Sequence, residues 1–325
     1  MAHDENKGRK KLGAVATALL VAGALFVGLV VTSLITMPKT NVSIFRLFDP
    51  GTSGVQAEPD DSIDVLVVGD SLVLNGYLPV VTWHEYGYTT YVLSTLAQNL
   101  TDGDTMLHLA LRNQHPRYVI FEVQGLFDEI DFDDAFMSYA SSIFPVLRYH
   151  SRWRELSAVD FTLTQQEQDY EYKPRHGAVY EHATVPVDEE TLAAYMAPTD
   201  DVEAIDDFNS WYFAQMLAYC RSVGATPILV STPCPSSWDM AHHNAISAWA
   251  KKQGVDYYDF NLLTEEMGID WSTDSKDGGE HLNINGAQKL SRYLGELLVK
   301  KYDLPDHRGD QRYARWDEDY QEQMA

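Results

Sequence analysis

Runs of aliphatic and aromatic residues recur along the chain and alternate with segments of helical periodicity. The runs are short, rich in β-branched and aromatic residues, and bounded by turn residues, so they predict strands. Helical spacing separates them, and the alternation of strands with helices predicts a parallel sheet in an α/β domain. The predicted strands cover residues 63–68, 88–93, 118–123, 225–232 and 255–260, and the predicted helices cover 104–112, 205–223, 238–253 and 286–302.

The longest apolar segment lies near the N-terminus, at residues 12–36, and contains no charged residue. A helix of this length spans about 37 Å, which is enough for a hydrocarbon core of about 30 Å. A basic cluster at residues 7–11 precedes it, so we expect the N-terminus in the cytoplasm and the rest of the chain outside the cell. A cleaved signal peptide is the alternative, but its apolar region would be shorter and would end in small residues. The pattern favours an uncleaved anchor in the cell membrane.

The remaining sequence divides by composition into a spacer, a domain and a tail. Residues 37–61 read as a linker and residues 62–302 as the domain, while the polar tail at 303–325 is expected to be largely disordered. Residues 126–207 form an acidic, aromatic insertion without a clear strand. Such an insertion could shape a binding cleft, with Arg152 and Trp153 as candidate lining residues, or its aromatics could simply pack.

Charge and cysteine content exclude some classes of function. The net charge is −24, and residues 1–11 hold four basic and two acidic side chains, which leaves −26 for the rest. An acidic surface of this kind argues against nucleic-acid binding, because phosphates are bound by Lys and Arg. Cys220 and Cys234 form neither a disulfide framework nor a zinc cluster, and whether they pair stays open. His242 and His243 are adjacent on a predicted helix and point about 100° apart, so no metal site and no cofactor is expected.

A candidate nucleophile follows the first predicted strand. Five of the six residues at 63–68 are aliphatic, as in a strand buried on both faces, and Gly69-Asp70-Ser71 follows directly. Ligands bind at the carboxyl edge of open α/β sheets, where Ser71 would lie. Strand, turn and exposed serine are the parts of a nucleophile elbow. The alternative is a turn in which Asp70 or Ser71 only caps a helix.

A candidate base lies between the fifth strand and the last helix, in the loop at residues 274–283. Acyl transfer by a serine needs a base of near-neutral pKa, such as His281, and an acceptor that orients its imidazole. Asp277 lies four residues before His281 and is the preferred acceptor, with Asp274 and Glu280 as competitors. The alternative is a solvated acidic turn with an incidental histidine.

The pairing of Gly69-Asp70-Ser71 with the C-terminal block from Asp277 to His281-Leu282-Asn283 resembles the SGNH/GDSL hydrolase superfamily. Flanking motifs resemble its membrane-anchored branch, which is similar to the DltD, AlgX/AlgJ and PatB-like proteins of cell-envelope O-acylation. The resemblance covers residues 61–302 and implies a three-layer α/β/α domain with a five-stranded, flavodoxin-like parallel sheet. The flanking motifs are Glu85-Tyr86-Gly87-Tyr88, Tyr149-His150-Ser151-Arg152-Trp153, Ser231-Thr232-Pro233 and Gly286-Ala287.

The resemblance also implies roles for individual residues. Ser71 would be the nucleophile, His281 the base and Asp277 its orienting acid, although family members usually carry the Asp at the position of Gly278. The family's oxyanion hole uses the serine amide, a glycine that Gly87 matches by position, and often an Asn that is absent here. Gln124, which follows the third strand, could donate in place of that Asn.

The expected activity is acyl transfer through an acyl-Ser71 intermediate on an acyl ester or carbohydrate substrate. Transfer to water makes the protein an esterase, and transfer to a sugar or polyol hydroxyl makes it an O-acyltransferase. The resemblance implies O-acylation of a cell-envelope or exported polysaccharide, with an MBOAT-type membrane O-acyltransferase as partner. The alternative is a non-catalytic carbohydrate-binding or assembly factor that retains the fold.

Overall fold

The computed structural model describes residues 2–36, 54–128, 132–161 and 172–324 of the chain. The chain separates into two compact units. One lies within Met1–Val42 and Asp133–Asp169, and the other lies within Ser43–Phe132 and Tyr170–Ala325. The candidate nucleophile and base both belong to the second unit.

The elements follow the predicted order, with boundaries shifted by a few residues. Short 3₁₀ turns connect several of them, as at Gln124–Phe127 after the third strand. In chain order the helices and strands are α1 Ala2–Thr36, β1 Val65–Gly69, α2 Ser71–Gly76, α3 Pro79–Tyr86, β2 Thr90–Ser94, α4 Leu100–Ala110, β3 Tyr118–Glu122, α5 Phe132–Ile143, α6 Val146–Tyr149, α7 Glu189–Ala194, α8 Asp207–Ser222, β4 Thr226–Ser231, α9 Met240–Gln253, β5 Asp256–Asp259, α10 Thr264–Met267, α11 Ile284–Lys301 and α12 Ala314–Met324.

The five strands form one parallel sheet in the order β2-β1-β3-β4-β5. This is the flavodoxin-like order, so the predicted fold class is confirmed. The register places Gly69 beside Ser94 and Val68 beside Phe121. The carboxyl ends of β1, β2 and β3 therefore meet at one edge, next to the break in strand order that is typical of ligand sites.

Side chains that alternate along each strand build two separate cores, one on each face of the sheet. On one face, Leu66, Val68 and Phe121 are buried with residues of α4, α8 and α9. On the other face, Val65 and Val67 are buried with residues of α2, α3 and α11. Burial on both faces explains why the strand sequences show apolar runs instead of alternation, and it confirms the three-layer arrangement.

The unit that contains the N-terminus is built on α1. The segment of this helix at residues 15–36 is long enough and apolar enough to cross a membrane. The Ser33 hydroxyl accepts a hydrogen bond from the Val146 amide, at 3.3 Å, and the Arg152 guanidinium donates to the Thr36 carbonyl, at 2.6 Å. The rings of Phe26 and Phe144 meet edge to face, with centroids 5.9 Å apart. Part of the insertion therefore packs along the apolar helix.

Two boundaries of the predicted domain are wrong. Residues 54–61 were assigned to the linker, yet Val55 and Glu58 are buried in the second unit. The tail from residue 303 was expected to be disordered, but it forms α12, with Trp316 and Asp319 buried. Neither segment contains a long apolar run: each contributes single core residues, Val55 and Trp316 among them, together with polar contacts to residues far away in sequence. The remaining predicted linker residues, 37–53, lie outside the described residues.

The two cysteines are free and buried. Burial raises the pKa of both the Cys220 and the Cys234 thiol to about 12. Both thiols therefore stay protonated at neutral pH and contribute to packing.

Candidate active site

The candidate nucleophile stands at the start of a helix, directly after the strand that leads into it. β1 ends at Gly69, and Asp70 is the N-cap of α2, with its carboxylate accepting a hydrogen bond from the Leu72 amide at 2.9 Å. Ser71 is the first residue of the helix and is partly exposed. The strand, turn and helix of a nucleophile elbow are thus present, and the free amides of the first turn point past the helix end.

Gly69 is required at this turn by a close approach of the neighbouring strand. A Cβ atom at this position would lie 2.5 Å from the Cβ of Glu122 and 2.8 Å from a methyl group of Val73. Real side chains do not approach so closely, so any other residue would displace β3 or α2. The glycine therefore fixes where the following Ser71 lies.

The candidate base is held by a closed loop between residues 275 and 282. Ser275 pairs with Leu282 as an isolated β-bridge, and the Lys276 amide donates to the His281 carbonyl at 3.1 Å. The chain reverses through Gly278 and Gly279, whose φ angles are +85° and +115°. These angles lie in the region that favours glycine. The reversal brings the side chain of residue 277 back to residue 281.

Within this loop, the Ser275 hydroxyl stabilises the reversal. Its oxygen lies within hydrogen-bond distance of the amides of Asp277, Gly278 and Gly279, at 3.3, 3.1 and 2.8 Å. Ser275 is fully buried. A buried hydroxyl surrounded by backbone amides restricts the loop to one conformation, which orients the histidine.

Ser71, His281 and Asp277 form a continuous chain of hydrogen bonds. The Oγ atom of Ser71 lies 2.7 Å from Nε2 of His281, and Nδ1 of His281 lies 2.7 Å from Oδ2 of Asp277. Oδ1 of Asp277 also accepts from the His281 amide, at 2.8 Å. The His281 side chain is 15% exposed and that of Asp277 is 35% exposed, so both are reachable from solvent. This is the geometry of a nucleophile, a base and an orienting carboxylate.

The other two carboxylates of the loop have different partners. Asp274 is buried and pairs with Lys289, at 2.6 Å, and it also accepts from the Asp270 amide. Glu280 accepts a hydrogen bond from the Ser236 hydroxyl, at 2.7 Å. Among the described contacts of these three carboxylates, only that of Asp277 reaches the His281 ring, so the geometry favours Asp277 over Asp274 as the orienting acid, and that role stays a prediction.

Two acids, the half-buried Asp70 and the buried Glu122, lie directly behind the nucleophile. Burial raises the pKa of Asp70 to about 6, and the negative charge of Asp128 adds to this, against the lowering effect of the Leu72 amide. Burial raises the pKa of Glu122 well above its usual range, and the charge of Asp70 raises it further. Oε2 of Glu122 accepts from the Gln124 amide at 2.8 Å. Burial and the neighbouring carboxylate thus both favour the neutral form of Glu122.

We expect Glu122→Gln to stabilise the fold more at pH 7.5 than at pH 4.5. A carboxyl whose pKa is higher in the folded than in the unfolded chain loses stability as pH rises above its unfolded pKa of about 4.3. Glutamine keeps the shape and the acceptor for the Gln124 amide but cannot ionise, so this part of the pH dependence should disappear. Thermal unfolding between pH 4.5 and pH 7.5 measures it, with exposed Glu265→Gln as control. If the melting temperature of the Glu122 variant depended on pH as strongly as that of the wild type, the raised pKa of Glu122 would be contradicted.

Two residues that the sequence analysis did not select connect the nucleophile's helix to the histidine loop. The side-chain amide of Asn75 donates to the Ser71 carbonyl, at 2.6 Å. Its oxygen accepts from the Lys276 ammonium, at 3.2 Å. Lys276 also lies 3.8 Å from Glu181. No motif identifies such a bridge in advance, because its members are 201 residues apart.

The assignment of Gly87 to the oxyanion hole is wrong. Its amide donates to the Trp83 carbonyl at 2.8 Å, where Gly87 ends α3 in a left-handed conformation. It precedes β2, whose first residue pairs with Val65 at the start of β1, so it lies at the opposite edge of the sheet from Ser71. Gln124 follows β3 at the same edge as Ser71, and its role as a donor stays a prediction, as does that of the Ser71 amide.

The other candidate residues have partners of their own. Arg152 is buried in the N-terminal unit and pairs with Asp160 at 2.9 Å, while the neighbouring Trp153 is 64% exposed. Their assignment to a substrate cleft stays a prediction. His242 contacts Asp239 and His243 contacts Asp259, each at 2.8 Å. Among the residues that the structure describes, no group of three or more His, Cys, Asp or Glu side chains could hold a metal ion.

This chain has little detectable similarity to known proteins. No family model matches the chain, and no curated protein matches it either. The crystal structure of TesA aligns with 73% of this chain and 98% of its own, at 14% sequence identity and a TM-score of 0.38. A likeness at this level carries no argument about family or activity.

Proposed function

We propose that this protein is a serine-dependent acyl-transfer enzyme that acts through an acyl-Ser71 intermediate. The observation that carries the proposal is the chain of two 2.7 Å contacts from Ser71 through His281 to Asp277. Three side chains from two distant segments meet in the order that nucleophilic catalysis requires. The resemblance of these segments to the SGNH/GDSL hydrolase superfamily supports the same chemistry.

The geometry supports the following sequence of steps. Ser71 Oγ attacks the acyl carbonyl carbon while its proton moves to Nε2 of His281, and Asp277 stabilises the imidazolium that forms. The tetrahedral adduct then collapses, the bond to the leaving alcohol breaks, and Nε2 returns the proton to that alcohol. In the second half, His281 takes the proton of water or of an acceptor hydroxyl, whose oxygen attacks the acyl-serine. The acyl group leaves on the acceptor and Ser71 regains its proton.

We further propose that the enzyme is anchored in the cell membrane by a single helix, with its catalytic unit outside the cell. The apolar segment at residues 15–36 and the basic cluster before it support this orientation. Exposed apolar side chains in the same unit, Phe136, Met137 and Ile143 on α5, also suit a lipid surface. The physiological acceptor in this proposal is a hydroxyl of a cell-envelope or exported polysaccharide. A membrane O-acyltransferase of the MBOAT type as acyl supplier follows from the resemblance alone.

The test uses the full-length chain in detergent, mixed with 4-nitrophenyl acetate at neutral pH. We expect release of nitrophenolate and an acetyl group on the peptide that contains Ser71, found by mass spectrometry. A burst followed by slow turnover indicates a transferase that lacks its acceptor, and steady turnover indicates an esterase.

The matched control is Ser222→Ala, which removes an exposed hydroxyl at the last residue of α8, where it donates to the Tyr219 carbonyl. This variant should still be acetylated, whereas Ser71→Ala should not. Absence of any adduct, together with retained binding of polysaccharide, would favour the non-catalytic carbohydrate-binding alternative.

A further inference from the structure

Two of the described side-chain contacts join α2 to the loop that carries His281, and the proposed chemistry uses only one of them. The first is the 2.7 Å contact between Nε2 of His281 and Oγ of Ser71. In the second, the Lys276 ammonium group donates to the side-chain oxygen of Asn75 at 3.2 Å. The side-chain amide of Asn75 in turn donates to the Ser71 carbonyl at 2.6 Å. The second contact therefore ends on the backbone of the nucleophile.

The two contacts lie side by side, because the residues on each element are matched in spacing. Ser71 and Asn75 are four residues apart in α2, and residues so spaced are neighbours on a helix surface, with Cβ atoms about 5–6 Å apart. On the loop, the Lys276 amide donates to the His281 carbonyl at 3.1 Å, next to an isolated β-bridge. Residues that face each other across antiparallel backbone have Cβ atoms about 4.5–5.5 Å apart on one face. The helix and the loop thus meet at two points about 5 Å apart.

The second contact is largely shielded from solvent. Asn75 is 2% exposed, and the side chain of Lys276 is 18% exposed. The Lys276 ammonium group also lies 3.8 Å from the carboxylate of Glu181, whose backbone carbonyl accepts from the Ile284 amide at 2.7 Å. A hydrogen bond from a charged donor is stronger where water is partly excluded. This contact is therefore suited to fix the distance between α2 and the loop.

The proposed reaction is sensitive to that distance. Ser71 and His281 are 210 residues apart, so no continuous element sets their separation. Asp277 orients the imidazole, but it belongs to the same loop and does not tie the loop to α2. A displacement of about 1 Å between reacting groups can cost about a hundredfold in rate. A second contact one helical turn from Ser71 opposes such a displacement, because the loop cannot move away from α2 without breaking it.

We propose that Asn75 and Lys276 are positioning residues that hold Nε2 of His281 at hydrogen-bond distance from Ser71. The proposal rests on the proposed function, because this distance matters to the rate only if His281 takes the serine proton. Neither residue contacts the reacting atoms of the ester in this proposal. Both act through the two residues whose separation they set.

The first test is the acylation of Ser71 by 4-nitrophenyl acetate in Lys276→Met, with the full-length chain in detergent. Methionine keeps most of the apolar stem and removes the ammonium group. We expect the acylation rate at saturating ester to fall by about tenfold to a hundredfold, and the half-saturating concentration to change by less than about twofold. The matched control is Lys252→Met, at an exposed lysine of α9, which should acylate at the wild-type rate.

A second variant tests whether the two residues act as one contact. Asn75→Ala should also lower the acylation rate at saturating ester by about tenfold to a hundredfold. The double variant of Asn75→Ala and Lys276→Met should be no slower than the slower single variant, because both changes remove the same link between helix and loop. Losses that multiply in the double variant would show that the residues act separately, which contradicts the proposal.

A third comparison separates positioning from general stabilisation of the fold. A chain that carries His281→Ala has no imidazole to position, so adding Lys276→Met should not slow the acetylation of Ser71 further. Both rates are followed over hours by mass spectrometry of the peptide that contains Ser71, which has no background from hydrolysis in solution. If Lys276 only stabilised the fold, its removal would lower the rate by the same factor with and without His281.

The outcomes distinguish this proposal from the proposed function. A wild-type acylation rate for Lys276→Met would overturn the positioning roles, as would an equal loss in the His281→Ala chain or a loss seen only as a higher half-saturating concentration. Each of these results leaves the acyl-Ser71 chemistry intact, provided that the wild type is acetylated on Ser71. Absence of acetylation in the wild type would overturn both proposals.

Discussion

Replacing His281 by alanine is expected to slow the acylation of Ser71 by about 10³- to 10⁴-fold. The Nε2 atom lies 2.7 Å from the serine oxygen, so it is placed to take the hydroxyl proton as the carbonyl is attacked. Without this base, no side chain takes up the proton, and the hydroxyl must attack in its protonated form, which is a weak nucleophile. The measurement is the first-turnover release of nitrophenolate from 4-nitrophenyl acetate by the full-length chain in detergent.

The histidine variant needs a matched control at a histidine that the mechanism does not use. His108 is 49% exposed on the side chain, and we expect His108→Ala to acylate at the wild-type rate. Ser71→Ala supplies the background of the assay. An acylation rate for His281→Ala within a few fold of the wild type would contradict its role as the base.

The same assay separates the three loop carboxylates. Asp277→Asn should lower the acylation rate by about 10²- to 10⁴-fold, because an amide can present the wrong group to Nδ1 and cannot stabilise an imidazolium. Glu280→Gln should have little effect, since its carboxylate contacts Ser236. Asp274→Asn should lower thermal stability, through the loss of its buried pair with Lys289, more than it lowers the acylation rate. Equal rate losses for Asp274 and Asp277 would contradict the assignment of the acid.

The sheet could be predicted because the feature that drives strand formation here, a short run of apolar residues, lies within one stretch of sequence. β1 and β3 are apolar runs that are buried on both faces, and the two cores take alternate residues of β1, as Leu66 and Val67 illustrate. Such runs are visible in the sequence without knowledge of their neighbours. The parallel arrangement followed from the alternation of strands with helices, whereas the flavodoxin-like order was implied by the resemblance to the SGNH/GDSL hydrolase superfamily.

The site could be predicted only in part, because turns decide which side chains meet. Asp277 reaches His281 through two residues of positive φ, and spacing alone does not distinguish it from Asp274. The residues around Gly87 suggest a loop in the sequence, but Gly87 ends α3, at the edge of the sheet opposite to Ser71. The acid behind Ser71 was missed because the sequence shows Glu122 as an ordinary polar residue at a strand end, and it is burial, together with the charge of Asp70, that raises its pKa.

The ends of the domain were misjudged because isolated buried residues hold them, several of which are polar. Glu58, His176 and Asp319 come from three distant segments and are buried together. Nδ1 of His176 lies 2.9 Å from Glu58, and Nε2 lies 3.3 Å from Asp319, close enough for an ion pair. Trp316 stacks on the imidazole, with ring centroids 3.5 Å apart. No pattern of apolar residues in the sequence predicts such a cluster, and the charged composition of the tail indicates a segment exposed to solvent.

His176→Ala is therefore expected to destabilise the folded chain by about 3–5 kcal/mol, because it leaves two buried carboxylates without their cation. Burial alone would lower the pKa of His176, but the charges of Glu58 and Asp319 outweigh it and raise that pKa. The stability that this pair of contacts contributes is complete below the unfolded pKa of about 6.5 and is lost as pH rises through the folded value. Chemical unfolding of wild type and variant at pH 6 and pH 9 measures both effects.

The pH dependence separates a charged cluster from simple packing. If His176 only fills space, its removal should cost the same free energy at both pH values, and neutralising a partner should not help. If the charges matter, His176→Ala should lower the free energy of unfolding more at pH 6 than at pH 9. Adding Asp319→Asn to His176→Ala should then recover part of this loss, because one of the buried carboxylates is removed. His108→Ala, at an exposed histidine, should change the free energy of unfolding by less than about 1 kcal/mol at either pH. A constant loss with no recovery would show that the segment at residues 173–179 and α12 are held by the rings alone.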